Sequence, residues 1–165
     1  MGKHEVERLK LFAKLNTYNL KVLLGDQSII PEYIESVKKH PYEILPSLRV
    51  IVEAANMHGF FVDDVLKQFD IDTELYDQID NYYKPEISKD RYLRLSFQLS
   101  VYYFRKKDFQ EGIEKSLYSL KYAIFLKNHL YFMKIVPLFE RYRSFATGEQ
   151  LKEYEKLLEG VLKDA

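Results

Sequence analysis

The sequence predicts an all-α fold: about seven to nine helices, paired as antiparallel hairpins and stacked into a short right-handed superhelix. Three observations carry this. Ile113, Leu117, Leu120 and Ile124 recur at i, i+4, i+7 and i+11, one face of a 3.6-residue helix. Asp108 stands just before that run with Glu111 three residues later, a variant of the capping box that starts helices. Gly25 and Gly59, each closing a helical run, lie 34 residues apart, a period typical of two-helix repeats.

Val6 to Leu24 reads as the first helix, with Leu9, Phe12, Leu15 (or Asn16), Leu20 and Leu23 near helical spacing and Gly25-Asp26 ending it in a turn. Pro31 opens a second helix from a first-turn position, with Tyr33, Ile34 and Val37 apolar, and His40-Pro41 closes it. A third runs from about Tyr42 to His58, and Gly59 ends it. Pro46 is tolerable there only in the first turn, and Leu48, Ile51, Val52 and Ala55 form the buried face. Val62 to Phe69 is a short fourth helix with Val65, Leu66 and Phe69 inward. Residues 71–89 form an irregular, acidic, tyrosine-rich insertion that Pro85 breaks. Within it a short helix is expected from Thr73, its cap, to Tyr82.

Arg91 to Asn128 is the central hairpin. In its first half Leu93, Leu95, Phe97, Leu99 and Val101 alternate with polar residues, the template of a half-buried strand. Helix is favoured: three of these five are leucine, only Val101 is β-branched, and no Gly or Pro interrupts Arg91 to Gln110. The helix would carry Leu93, Phe97, Val101 and Phe104 on one face and Leu95, Leu99 and Tyr102 on another, as when neighbours pack on both sides. His129 to Phe145 is a further helix, with a kink or break expected near Lys134 because of Pro137. Thr147 caps the last helix, where Leu151, Tyr154, Leu158 and Val161 fall at i, i+3, i+7 and i+10. The hairpins are thus about 6–40, 42–70, 91–127 and 129–162 within one domain spanning 1–165.

Composition limits the function. Lys+Arg and Asp+Glu both number 25, so there is no net basic charge of the kind that marks nucleic-acid binding, and no direct nucleic-acid contact is expected. The absence of cysteine excludes disulfides, thiol catalysis and thiolate metal sites and fits a cytoplasmic setting. No apolar run reaches the length of a membrane span. His4, His40, His58 and His129 include no i, i+4 pair and no HExxH, so neither a metal nor a cofactor is expected. Asp70-x-Asp72-x-Glu74 resembles the opening of a calcium loop, but Leu75 stands where the loop needs Gly and Asn81 where it needs Glu. A solvated acidic face is the simpler reading; a negative rim for a basic ligand is the functional one. No GxSxG and no glycine-rich phosphate loop occurs. No catalytic constellation is visible, and a non-enzyme is expected.

With Lys107-Asp108-Phe109 on the turn, Leu99 and Ser100 take the large-small pair of a tetratricopeptide repeat and Tyr103 its aromatic position. Gly112 and Ser119 take the small positions where two helices cross closely. Ser96 and Ser116 depart from the pattern, standing where large residues are usual, and about 14 extra residues before this hairpin match the 71–89 insertion. These degenerate hairpins, the block KKDFQEGIEKSLYSLKYA and the closing FERYRSFATGEQLKEYEKLL resemble the tetratricopeptide-type receptor domains of Gram-positive peptide-pheromone transcription regulators, over Leu93 to Leu162. The resemblance implies a concave helical surface that binds a short signalling peptide, a homodimer, and quorum-sensing control of transcription. It also implies that a DNA-binding helix-turn-helix lies elsewhere or is lacking, since no separate one is seen here.

On that alignment Asn19, Arg49, Glu53, Asn56, Arg94, Phe97, Val101 and Arg105 face the inner curve. Asn can pair with an extended peptide backbone, and Arg can grip a terminal carboxylate bidentately. Asn56 and Arg94 are expected on one surface. Ordinary surface polarity is the competing reading for each. The function expected is a peptide- or protein-binding module. A protein-protein adaptor or self-assembly scaffold is the alternative, and an enzyme with an unrecognised helical site is a third. Phe12, Leu15, Leu20 and Leu23 spread over more than one face of the first helix, which predicts a homodimer or an upstream domain covering it.

Overall fold

The computed structural model describes residues 2–71, 75, 77, 81 and 84–164. Among them lie eight α-helices and no strand, so the fold is all-α, including the ambiguous stretch 93–101. The chain divides into two compact units, Met1–Leu75 and Tyr76–Ala165. Their boundary falls inside the acidic segment 71–89.

The first unit contains α1 (Lys3–Leu23), α2 (Ile30–Lys38), α3 (Ile44–His58) and α4 (Asp63–Leu66). Gly25, at φ 100°, ends α1 in a left-handed turn, with Asp26 N–H donating to the Lys21 carbonyl and Gly25 N–H to that of Val22. These are the two bonds of a Schellman motif. Pro31 lies in the first turn of α2. A 3₁₀ turn over Pro41–Glu43 leads into α3, where Pro46 falls in the first turn. The expected face Leu48, Ile51, Val52 and Ala55 is fully buried, and Leu45, Ser47, Val50 and Ala54 are buried beside it, because α1 and α2 both pack on this helix. The helix expected over 62–69 is regular only at Asp63–Leu66, with Val62 and Leu66 buried and Val65 and Phe69 half-buried.

The second unit contains α5 (Pro85–Arg105), α6 (Phe109–Phe125), α7 (His129–Tyr142) and α8 (Gly148–Lys163). Pro85 opens α5 instead of breaking the chain: at the first helical position the N–H that proline lacks has no partner to lose. The central hairpin therefore begins six residues before Arg91. The expected helix 73–82 and the calcium-like triplet lie largely outside the described residues. Helix α6 is central and packs on α5, α7 and α8. Ile113, Leu117 and Leu120 are buried on it; Gly112, Ser116, Ser119 and Ala123 form a second buried row at helical spacing. A Cβ on Gly112 would sit 2.4 Å from the Phe104 ring of α5, so the two helices cross at a point only glycine fits. Four buried hydroxyls bond back into their own helices: Ser96 to the Leu93 carbonyl (3.1 Å), Ser100 to Phe97 (2.7 Å), Ser116 to Ile113 (2.7 Å) and Ser119 to Ser116 (2.9 Å). Small side chains with satisfied hydroxyls can replace large ones there without burying a bare polar group.

Both hairpin turns of this unit use one device. Lys107 and Lys127 adopt φ 64° and 53°, and the next residue caps the following helix. Asp108 accepts from Glu111 N–H at 3.4 Å and Asn128 from Tyr131 N–H at 3.1 Å. Helix α7 is not broken at Pro137. Proline removes the bond to the Met133 carbonyl, but both residues lie on the exposed side of α7, where water can take over. Thr147 caps α8 in a reciprocal box with Gln150, and Tyr154 stacks on Phe139 at 3.8 Å in the core.

Candidate functional site

The eight residues expected in the groove divide between the units. Asn19 comes from α1, and Arg49, Glu53 and Asn56 share one face of α3 at i, i+4 and i+7, all in the first unit. Arg94, Phe97, Val101 and Arg105 share one face of α5, in the second.

In the first unit these side chains hold one another. Tyr33, fully buried, donates its hydroxyl proton to Asn19 Oδ1. Arg49 forms an ion pair with Glu53. Burial pushes the Tyr33 hydroxyl up to about 12, opposed by a hydrogen bond with Ser47 and by the Arg49 charge. Asn19 and Arg49 thus belong to a polar cluster around one buried tyrosine, and Asn56 lies half-buried a turn beyond Glu53.

In the second unit the α5 face is at the surface. Arg94 is exposed, and its Nε donates to Asp90 Oδ2 at 2.9 Å. That bond engages one of five guanidinium donors. Its guanidinium lies 5.3 Å from the centroid of Tyr131 on α7, and Lys134 Nζ lies 5.3 Å from the same ring. Half-buried Phe97 meets Tyr131 edge-on, at 5.5 Å and 87°. The Asp90 hydrogen bond, more than any other influence, holds the Arg94 guanidinium above its ordinary range; burial opposes it and the Asp90 charge adds to it. The side chain is cationic at every physiological pH. Val101 is half-buried a turn further along, and Arg105 lies 5.4 Å over the Tyr102 ring.

This arrangement offers two cations and a ring edge around one anchored aromatic. It suits a ligand with an anionic group and an apolar neighbour, through charge-assisted hydrogen bonds and cation–π contact. It contains no nucleophile–base pair. Sequence reasoning placed the α5 residues on one helix face, as they are, and did not include Tyr131 and Lys134. One signal was present: Phe97 and Tyr131 are 34 residues apart, the spacing of Gly25 and Gly59, so equivalent positions of successive repeats would have paired them.

His58 donates from Nε2 to the Leu23 carbonyl at 2.8 Å and stacks on Phe60, and His40 meets Tyr42 edge-on. No group of three His, Asp or Glu able to hold a metal occurs among the described residues, and none of the described helices is long and apolar enough to cross a membrane. A scan against protein-family models found no match, and searches of curated proteins and of solved structures found none either.

Proposed function

We propose that the protein is a non-enzymatic binding module whose α5 face captures the anionic end of a short peptide or protein segment. Arg94 and Lys134, both set over the buried Tyr131 ring, engage the carboxylate, and half-buried Phe97 and Val101 take the adjacent apolar side chain. The observation that carries this is the buried Tyr131 ring, which lies beneath the exposed Arg94 and Lys134 cations and against half-buried Phe97. Exposed cations held over a buried ring in fixed geometry meet an anion at low entropic cost. Together with the resemblance of residues 93–162 to pheromone-receptor domains, it supports a cytoplasmic, signal-peptide-sensing regulatory domain of a bacterial transcription regulator, with DNA contact left to another domain.

The test is a thermal-shift panel of short apolar peptides, each with a free and an amidated C-terminus. A peptide that binds only the folded state raises the midpoint. The proposal requires that free carboxylates raise it and amides do not; equal shifts, or none across the panel, would refute it.

A second reading, self-assembly, has its own observation. Leu9, Leu20 and Leu24 on or next to α1 are 55%, 64% and 83% exposed and fall on one side of that helix by spacing. A homodimer covering this stripe is expected. Sedimentation of Leu20→Glu against the parent protein tests it: the variant should be monomeric where the parent is dimeric, and a monomeric parent at high concentration rejects it.

A further inference from the structure

The ends of α6, α7 and α8 form an open cavity of about 390 Å³. This is within the range of small-molecule sites, about 300–1,000 Å³. Its apolar wall is Ile124, Phe132 and Val161; its polar residues include Lys127, His129 and Asp164.

The charges are sorted. Lys127 occupies the turn, and His129 is the first residue of α7, whose amide end carries positive potential. Asp164 is the C-cap of α8, its N–H on the Gly160 carbonyl at 3.3 Å, where the carbonyl end adds negative potential. The lining therefore combines a cationic edge at the α6–α7 turn, an anionic edge at the end of α8, and apolar residues. A simple fatty anion would meet Asp164, and a simple amine would meet Lys127. A molecule with both charges and an apolar side chain satisfies each edge.

We propose that this cavity binds a free apolar α-amino acid. The carboxylate lies toward Lys127 and the α7 N-terminus, the ammonium toward Asp164 and the α8 C-terminus, and the side chain against Ile124, Phe132 and Val161. This does not rest on the peptide-binding reading, because the two surfaces share none of these residues.

Calorimetric titration of the whole chain with L-phenylalanine and L-leucine tests it. For ligands of this size a Kd of about 0.1–1 mM is expected. N-acetyl-L-phenylalanine and L-phenylalaninamide, each lacking one charge, should bind about tenfold or more weakly. Asp164→Asn should weaken L-phenylalanine but leave N-acetyl-L-phenylalanine unchanged, a pattern that general unfolding cannot produce. Val161→Trp should fill the cavity and abolish binding. No heat at 10 mM amino acid overturns the proposal. So does equal binding of the acetylated compound, which would mean a plain anion site, and so does concentration-dependent self-association that Val161→Trp abolishes, which would mean a second copy covers the cavity.

Discussion

The two units turn the chain in opposite ways. The first puts glycine in the left-handed position, Gly25 at φ 100° and Gly59 at φ 76°; the second puts lysine there, Lys107 at 64° and Lys127 at 53°. Their interiors differ too. The buried face of α3 is aliphatic apart from Ser47, whereas α5 and α6 add to their apolar core a row of glycine and serines where they cross. The first unit carries 9 Lys/Arg against 12 Asp/Glu, the second 16 against 13. The lesson is that close helix approach, rather than turn flexibility, defines the second unit. It tolerates strained turns because three-residue links hold long helices against a central one.

Alkaline pH should produce the largest effect, and it acts on both units. Each buries a tyrosine hydroxyl whose ionisation is pushed up, Tyr33 to about 12 and Tyr154 upward, both chiefly by burial. Tyr154 also donates to Glu140 at 2.8 Å. The unfolded chain ionises near 10, so the stabilisation is complete below pH 10 and is lost as pH rises toward the folded values. For Tyr33 the slope is about 1.4 kcal/mol per pH unit. Denaturant titrations from pH 9 to 11.5 should show this fall, and Tyr33→Phe should flatten it. Parallel curves for the two proteins would show that Tyr33 is not the group responsible.

Gly112→Ala is next. The methyl would collide with Phe104, whose ring stacks on Tyr142 at 4.0 Å and has no easy retreat. Overpacking outweighs the gain in helix propensity, for a net loss of about 1–2 kcal/mol. Gly160→Ala, with open space around it, should gain about 0.5–1 kcal/mol. If both alanines stabilise, the close crossing is wrong.

The turns give a smaller, paired effect. Gly59→Ala should lose about 1 kcal/mol and Lys107→Gly should gain a similar amount, because a side chain at positive φ costs about that much. In a protein of this length each corresponds to about 2–4 °C in melting temperature. The same sign for both would remove the contrast between the units.

Much of this fold could be read locally. Gly25, Gly59, Pro31, Asp108 and Thr147 act where they stand, through φ values, missing donors and short-range caps, so the sequence exposes them. Pro85 was misread because proline breaks a helix and opens one with equal ease, and only the neighbours decide. Arg94, Phe97 and Val101 were legible as one face because they share a helix. Tyr131 and Lys134 were not, because a ring contact between helices depends on how α5 and α7 are rotated, which no single-helix pattern encodes. The same holds for Ser96 and Ser116: as polar residues in place of large ones they read as departures, yet they are buried because α5 and α6 approach so closely.

Titration of the best peptide from the thermal-shift panel into the parent protein and Arg94→Ala, with melting temperatures alongside, separates a binding role of Arg94 from a structural one. An exposed ion pair such as Arg94–Asp90 contributes little to folding, about 0.2–1 kcal/mol, whereas a charge-assisted contact to ligand contributes about 1.5–3 kcal/mol. Affinity should be about ten- to a hundredfold weaker with melting within about 4 °C of the parent. A variant that loses its fold yet binds normally when folded would contradict this and make Arg94 a structural residue.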